Sequence, residues 1–350
     1  MYFFCQYVII SYMEEKELVK KFSRRNFYTT ADSAKVFLFA FLLPILFAFI
    51  FAYLGYGIAS AVGVEFSEEV SFLTYLYENC LWFTIPYCLI SQITFVCLFF
   101  IYNKVNKVSF SACRLSVKKI NISTTLLCAL FGILFVIGLY GLIEGCFGAL
   151  FDLMGFESST LPIPLDNFWW YLLNILLFAI IPAFSEELIF RGMILNGLVR
   201  GIGKIGAIFL SGLLFALIHQ SITQFIYPFI MGIVFSVVTI KTGNLFYSMI
   251  MHLFNNITTL TIKFLMNIHA LSLPGEIGAV YIIVSILLAV AVCSLFFLFY
   301  YFYLKKQKVE EVKEVGEDFS NPTKLGKLPL LLYVGIFLSV VVIVINAVLV

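Results

Sequence analysis

Hydrophobic residues occur in long runs along this chain, and short polar stretches separate the runs. Nine apolar segments can be drawn, at residues 36–61, 81–102, 123–143, 168–199, 204–220, 222–240, 243–266, 279–304 and 328–350. Several of them exceed the roughly 18 residues at which an apolar run is typical of a membrane-spanning helix. The pattern predicts an all-α fold, a polytopic membrane helix bundle of about eight or nine spans.

The charges between the apolar segments predict an orientation. The loop at residues 103–122 carries only basic charges, whereas residues 62–80 and 144–167 carry only acidic ones. Because basic loops stay on the cytoplasmic side of a membrane, we expect a cytoplasmic N-terminus and a C-terminus on the opposite side. Met13 opens a stretch typical of a cytosolic beginning, and we hypothesise that it is the natural start.

Composition supports the membrane assignment and narrows the classes of function. Hydrophobic residues make up 62% of the chain and charged residues only 12%, against about 25% charged residues in soluble domains. The net charge is +2, with no basic stripe of the kind that binds nucleic acid, so no nucleic-acid partner is expected. The eight cysteines are scattered without a CxxC pair, which predicts neither a disulfide framework nor a zinc finger.

Glu186, Glu187 and Arg191 stand out because they lie inside an apolar segment. Each ionisable group at the centre of a membrane helix costs about 2.5–3.5 kcal/mol, so such residues usually mark a function or a buried partner. Glu187 and Arg191 are four residues apart and can pair on one helix face. Glu186 points elsewhere without an obvious cation, which suits a general acid or base. The alternative is a structural ion network that locks helices together.

Two further polar groups follow within the same part of the chain. His219 ends the stretch FALIH, and His252 and Asn256 share a helical face within HLFNN. Each could be a structural residue that joins helices by hydrogen bonds. Asn255, the neighbour of Asn256, stays open as the working amide. The third histidine, His269, falls in a predicted outer loop and is treated as neutral.

The order EExxxR, FxxxH and HxxxN resembles the CPBP family of intramembrane peptidases, over residues 165–270. That family includes the CAAX prenyl endopeptidases and the bacteriocin-processing and self-immunity proteins. The resemblance implies that Glu186 activates water with the help of His219. It implies that His252 and Asn256 stabilise the oxyanion. Glu187 and Arg191 would hold supporting positions.

The resemblance leaves metal dependence open. We expect no cofactor, since the HExxH spacing of zinc peptidases is absent. The alternative is divalent zinc bound by Glu186, His219 and His252. Straight spans would also place Glu186 toward the inner end of its helix and His219 near the outer end. We therefore predict short tilted helices, or a turn at residues 219–224 buried at membrane depth.

The expected organisation has six parts. They are a cytosolic N-terminal segment at 1–35, scaffold helices at 36–150, a peptidase core at 165–270, a transmembrane helix at 279–304, a charged cytosolic linker at 305–327 and a C-terminal transmembrane helix at 328–350. The expected function is an endopeptidase that acts on a peptide or protein at the lipid bilayer, in a bacterial plasma membrane. The alternatives are a non-catalytic binding protein of the same fold, as in bacteriocin self-immunity, and a proton-coupled transporter.

Overall fold

The computed structural model describes residues 24–64, 72–116, 120–143, 147, 149–156, 162–268, 279–304 and 328–349. Within these ranges the regular elements are helices and no strand is present, which confirms the all-α expectation. The expectations for residues 1–23, for the linker at 305–327 and for His269 lie outside the described residues.

Twelve α-helices are numbered here among the described residues. They are α1 (Thr30–Ala61), α2 (Phe72–Asn79), α3 (Leu81–Val105), α4 (Ile122–Phe135), α5 (Ala149–Leu153), α6 (Phe168–Ile175), α7 (Ile181–Glu187), α8 (Leu195–Leu217), α9 (Ile226–Thr242), α10 (Leu245–Asn267), α11 (Ala279–Phe302) and α12 (Leu330–Leu349). The π-helical turns Leu176–Ile180 and Leu188–Ile194 join α6, α7 and the part of α8 before Gly203 into one continuous helical rod. The turn Val136–Tyr140 and the helical turn Gly141–Ile143 continue α4.

Six helical stretches of the described chain are long and apolar enough to cross a membrane. They are Thr30–Ala61, Leu81–Val105, Ile122–Tyr140, Phe168–Leu217, Ile283–Phe302 and Leu330–Ala347. The stretch Phe168–Leu217 contains the predicted segments 168–199 and 204–220, and α9 is a shorter apolar helix. The chain is therefore an integral membrane protein.

The first helix begins several residues before the predicted start at residue 36. The side chain of Thr29 caps α1 by accepting a hydrogen bond from the backbone N–H of Asp32, and the Asp32 carboxylate accepts one from the backbone N–H of Thr29. This capping box starts the helix within a polar sequence. The Asp32 carboxylate also accepts hydrogen bonds from both Nη atoms of Arg25, at 2.7 and 2.8 Å, and from the hydroxyl of Tyr102 on α3, at 2.6 Å. The cap thus joins α1 to α3.

Gly203 breaks α8 into two arms that turn back on each other. Its φ of 76° lies in the left-handed region that glycine tolerates best. Across the hairpin, the rings of Phe190 and Phe215 lie 5.2 Å apart, and the hydroxyl of Ser211 donates to the carbonyl of Phe190 at 3.4 Å. The two arms are therefore antiparallel.

This hairpin bears on the difficulty that straight spans would place Glu186 and His219 at opposite ends of their helices. Counted along the helix at 1.5 Å per residue, both residues lie about 25 Å from the turn at Gly203. Antiparallel arms of nearly equal length bring such residues to the same depth. The straight-span count differs because it starts from the ends of the apolar runs, whereas the reversal lies at Gly203.

A turn at residues 218–225 follows, and it joins α8 to α9. The arm of α8 after Gly203 is about 21 Å long and α9 about 25 Å, both shorter than the roughly 30 Å hydrocarbon core. That the turn carrying His219 lies at membrane depth stays a prediction. Gln220, the next residue, adopts a φ of 54° as the chain leaves the helix. Short helices with such a turn are what the sequence analysis predicted.

Candidate active site

Glu187 and Arg191 form a buried ion pair at the junction of α7 and the following π-helical turn. Oε1 of Glu187 lies 2.6 Å from Nη1 of Arg191, and neither side chain is exposed. The guanidinium also donates to the carbonyl of Gly232 on α9 at 3.1 Å. It lies over the rings of Phe215 and Phe235, at 4.3 and 5.1 Å from their centres. The expected i,i+4 pair is present, and aromatic faces supply the rest of its surroundings.

His252, on α10, lies between the two glutamates. Its Nδ1 is 3.2 Å from Oε1 of Glu187, and its Nε2 is 3.9 Å from Oε2 of Glu186. The imidazole stacks on Phe235 with ring centres 4.9 Å apart. Because an ionised carboxylate only accepts hydrogen bonds, Nδ1 carries a proton and Nε2 is directed toward Glu186.

Glu186 has a polar partner that the sequence analysis missed. Nε2 of Gln92, on α3, donates to Oε1 of Glu186 at 3.1 Å. Oε1 of the same glutamine accepts a hydrogen bond from the hydroxyl of Ser185. The sequence analysis assigned α3 to the scaffold, but a glutamine inside an apolar span is itself a signal. Glu186 is thus anchored through one oxygen, and its other oxygen faces His252.

His219 joins the same cluster through an aromatic ring. Its Nδ1 donates to the carbonyl of Phe215 at 2.8 Å, which leaves Nε2 as the nitrogen that can accept a proton. The Phe215 ring meets His219 edge-on at 5.1 Å and His252 edge-on at 5.8 Å. The ring of Phe215 therefore packs against both imidazoles. That all four expected catalytic residues lie within one water-bridged distance stays a prediction.

The two neighbouring asparagines of α10 have different partners. Asn256 donates to the carbonyl of Phe178 at 3.2 Å. In an α-helix that carbonyl would accept from the N–H of residue 182, but Pro182 has none, so Asn256 supplies the donor. Asn255 instead donates to the hydroxyl of Tyr227 at 2.6 Å and to the carbonyl of Gly132 at 3.4 Å. Asn256 therefore contacts the rod that carries Glu186, whereas Asn255 contacts α4 of the scaffold and α9 of the predicted peptidase core.

Two π-helical turns, Leu176–Ile180 and Leu188–Ile194, enclose the short helix that carries both glutamates. Such turns leave backbone carbonyls without their α-helical donors, and they are frequent at functional sites. The amide of Asn196 fills part of this gap, since its Nδ2 lies 2.8 Å from the carbonyl of Gly192 and 3.2 Å from that of Arg191. Asn196 and Asn256 thus hold the two ends of the irregular rod.

The residues expected for a zinc site do not converge as placed. In the described part of the chain, no group of three or more His, Cys, Asp or Glu side chains is arranged to hold a metal ion. Nδ1 of His219 and Nδ1 of His252 are already bonded, to a carbonyl and to Glu187 respectively. Metal dependence stays untested.

The fold and the site together define a helical membrane protein with a buried carboxylate–imidazole centre. Residues 168–258 match the family described as Type II CAAX prenyl endopeptidase Rce1-like. This match confirms the resemblance seen in the motifs, and the matched range includes every expected catalytic residue. Comparison with curated proteins and with solved structures found no match in either set.

Proposed function

We propose that this protein is an intramembrane endopeptidase that hydrolyses a peptide bond in a membrane-associated protein or peptide. The observation that supports this most is the approach of Glu186 to His252, at 3.9 Å, with His252 oriented by Glu187. A carboxylate near an imidazole that a third group orients is the arrangement of an acid–base catalyst. The family of residues 168–258 supports the same reaction class.

Glu186 is the proposed general base. Its Oε1 is bonded to Gln92, so Oε2 is the oxygen free to take a proton from water. The hydroxide formed attacks the carbonyl carbon of the scissile bond, and the carbonyl oxygen becomes an oxyanion. His219 assists through Nε2, which can accept a proton while Nδ1 stays bonded to Phe215. The proton that Glu186 took from water passes to the leaving amine when the C–N bond breaks.

His252 and Asn256 are the proposed donors to the oxyanion. Because Nδ1 of His252 donates to Glu187, Nε2 can donate as well only when the ring is protonated on both nitrogens. Asn256 uses one amide hydrogen on Phe178 and keeps the second for the substrate. Preorganised donors of this kind typically contribute about 10²–10³ in kcat each.

The description of the matching family supports a proposal for the substrate class. We propose a C-terminally prenylated peptide as the first substrate to test, and a bacterial plasma membrane as the location. We also propose that hydrolysis proceeds without a metal ion. Metal analysis of the purified active protein, together with dialysis against a chelator, checks this part separately.

The test compares wild-type protein with Glu186→Gln on a farnesylated, internally quenched peptide that ends in a CAAX box. The proposal expects cleavage by wild type, a loss of at least about 10³ in kcat for Glu186→Gln, and unchanged peptide binding by fluorescence anisotropy. A wild-type protein that binds the peptide without cleaving it would instead favour the non-catalytic binding protein. Proton-coupled flux in proteoliposomes would favour the transporter.

A further inference from the structure

We infer that Gln92 is a positioning residue for catalysis, and that with Ser185 it fixes which oxygen of Glu186 acts as the base. This inference rests on the proposed function of Glu186. Gln92 lies on α3, outside the residues 168–258 that match the peptidase family. Gln92 and Ser185 together are called the clamp. The clamp extends the site beyond the segment that the three motifs define.

Gln92 is held at both ends of its side-chain amide. Its Nε2 donates to Oε1 of Glu186 at 3.1 Å, and its Oε1 faces the hydroxyl of Ser185. The Ser185 proton is shared between Gln92 and the carbonyl of Ile181 at 2.9 Å. Gln92 is 8% exposed. Since a buried amide is costly unless both its ends are bonded, this rotamer is strongly preferred.

The clamp divides the Glu186 carboxylate into two unlike oxygens. Oε1 is occupied by Gln92, whereas Oε2 points to His252 at 3.9 Å. A glutamate has three rotatable bonds, and in an open site its two oxygens would exchange. With Gln92 in place, Oε2 stays aimed at the position where water and the scissile carbonyl must meet. A displacement of about 1 Å at such a site can cost on the order of 10²-fold in rate.

Ser185 serves the clamp from the same helix as the base. It precedes Glu186 in the chain, so its hydroxyl and the carboxylate project about 100° apart around α7. Gln92 reaches across from α3 and bridges the two directions. This cross-helix bridge ties the position of Glu186 to the packing of α3, and it predicts that Gln92 and Ser185 act as one unit.

The test measures kcat and KM for Gln92→Met, Ser185→Ala and the double variant on the farnesylated CAAX peptide. Methionine keeps the length and shape of glutamine but removes both amide contacts. We expect kcat to fall about ten- to a hundred-fold in Gln92→Met, with KM within about two-fold of wild type. Ser185→Ala should lose about three- to ten-fold, and the double variant should equal Gln92→Met because the two residues act through one contact.

Thr94→Val is the matched control, since Thr94 is a buried residue of the same helix and donates to the carbonyl of Ile90 in its own helix. It should keep the wild-type kcat. Equal loss in Gln92→Met and Thr94→Val, or additive losses in the double variant, would overturn the clamp and leave a general packing effect. Cleavage that Glu186→Gln abolishes and Gln92→Met leaves intact would also overturn the clamp alone. Failure of wild type to cleave would remove the proposed function, and the clamp with it.

Discussion

His252 donates its Nδ1 hydrogen to Oε1 of Glu187 at 3.2 Å, and the same oxygen accepts a bond from Arg191 at 2.6 Å. One carboxylate oxygen thus serves an ion pair and an imidazole at once. This contact orients His252 so that Nε2 faces Glu186. The ion pair of Glu187 and Arg191 is therefore connected directly to the proposed catalytic histidine.

Removal of the Glu187 charge should destabilise the protein severely. Glu187→Gln would leave the guanidinium of Arg191 buried without its counter-ion, which typically costs about 3–5 kcal/mol. We expect a large drop in the melting temperature measured in detergent by intrinsic fluorescence. The double variant Glu187→Leu, Arg191→Met should be more stable than Glu187→Gln, because it leaves no unpaired charge. Equal stability of the single and double variants would contradict a coupled pair.

The two asparagines of α10 should respond differently to substitution. Asn256→Ala should lower kcat by about 10²-fold with a smaller effect on stability, since it removes a proposed oxyanion donor. Asn255→Ala should instead lower the melting temperature, because it leaves the Tyr227 hydroxyl and the Gly132 carbonyl without that donor. Kinetics and thermal unfolding on both variants separate the two roles. A larger kcat loss in Asn255→Ala would reverse the assignment.

Gly132 allows α4 and α10 to pack closely. A Cβ built at Gly132 would lie 2.4 Å from the carbonyl oxygen of Met251, a backbone atom that cannot move without α10. Gly132→Ala should therefore displace the helix that carries His252, at a cost of at least about 1–3 kcal/mol. Gly57→Ala is the control, since nothing lies within 4 Å of a Cβ there. A lowered melting temperature in Gly132→Ala and none in Gly57→Ala is expected.

The C-terminal helix contacts the turn that carries His219. Asn346 on α12 donates to the backbone carbonyl of Gln220 at 2.9 Å, and Gly335 lets α12 approach Phe37 of α1. Asn346→Ala should lower kcat by a few-fold through a looser His219 turn, at about 1 kcal/mol per lost hydrogen bond. Val344→Ala, a change at an exposed position of the same helix, should keep the wild-type rate.

Local features of the site could be predicted from the sequence, and contacts between distant segments could not. The pairing of Glu187 with Arg191 follows from their spacing of four residues on one helix. The bond from Gln92 to Glu186 joins residues 94 positions apart, and no periodicity reports it. Asn255 and Asn256 point about 100° apart, so the choice between them needs the positions of the neighbouring helices.

The relative level of Glu186 and His219 along their two helical arms could be predicted from the sequence only in part. The sequence contains Gly203 between the two segments, and a glycine there is compatible with a sharp reversal. Counting residues outward from that glycine, rather than from the ends of the apolar runs, places both side chains at one level. The length of each arm was therefore in the sequence, whereas the left-handed conformation at Gly203 required the structure.

The central claim is that water activated by Glu186 attacks the scissile carbonyl directly. A single-turnover cleavage of the farnesylated CAAX peptide, quenched in acid at short times and read by intact-protein mass spectrometry, tests it. Direct attack predicts protein of unchanged mass at every time point, and no cleavage by Glu186→Gln over the same time. A covalent acyl–protein species that forms and decays within the turnover would show that a protein side chain is the nucleophile, and it would contradict the account.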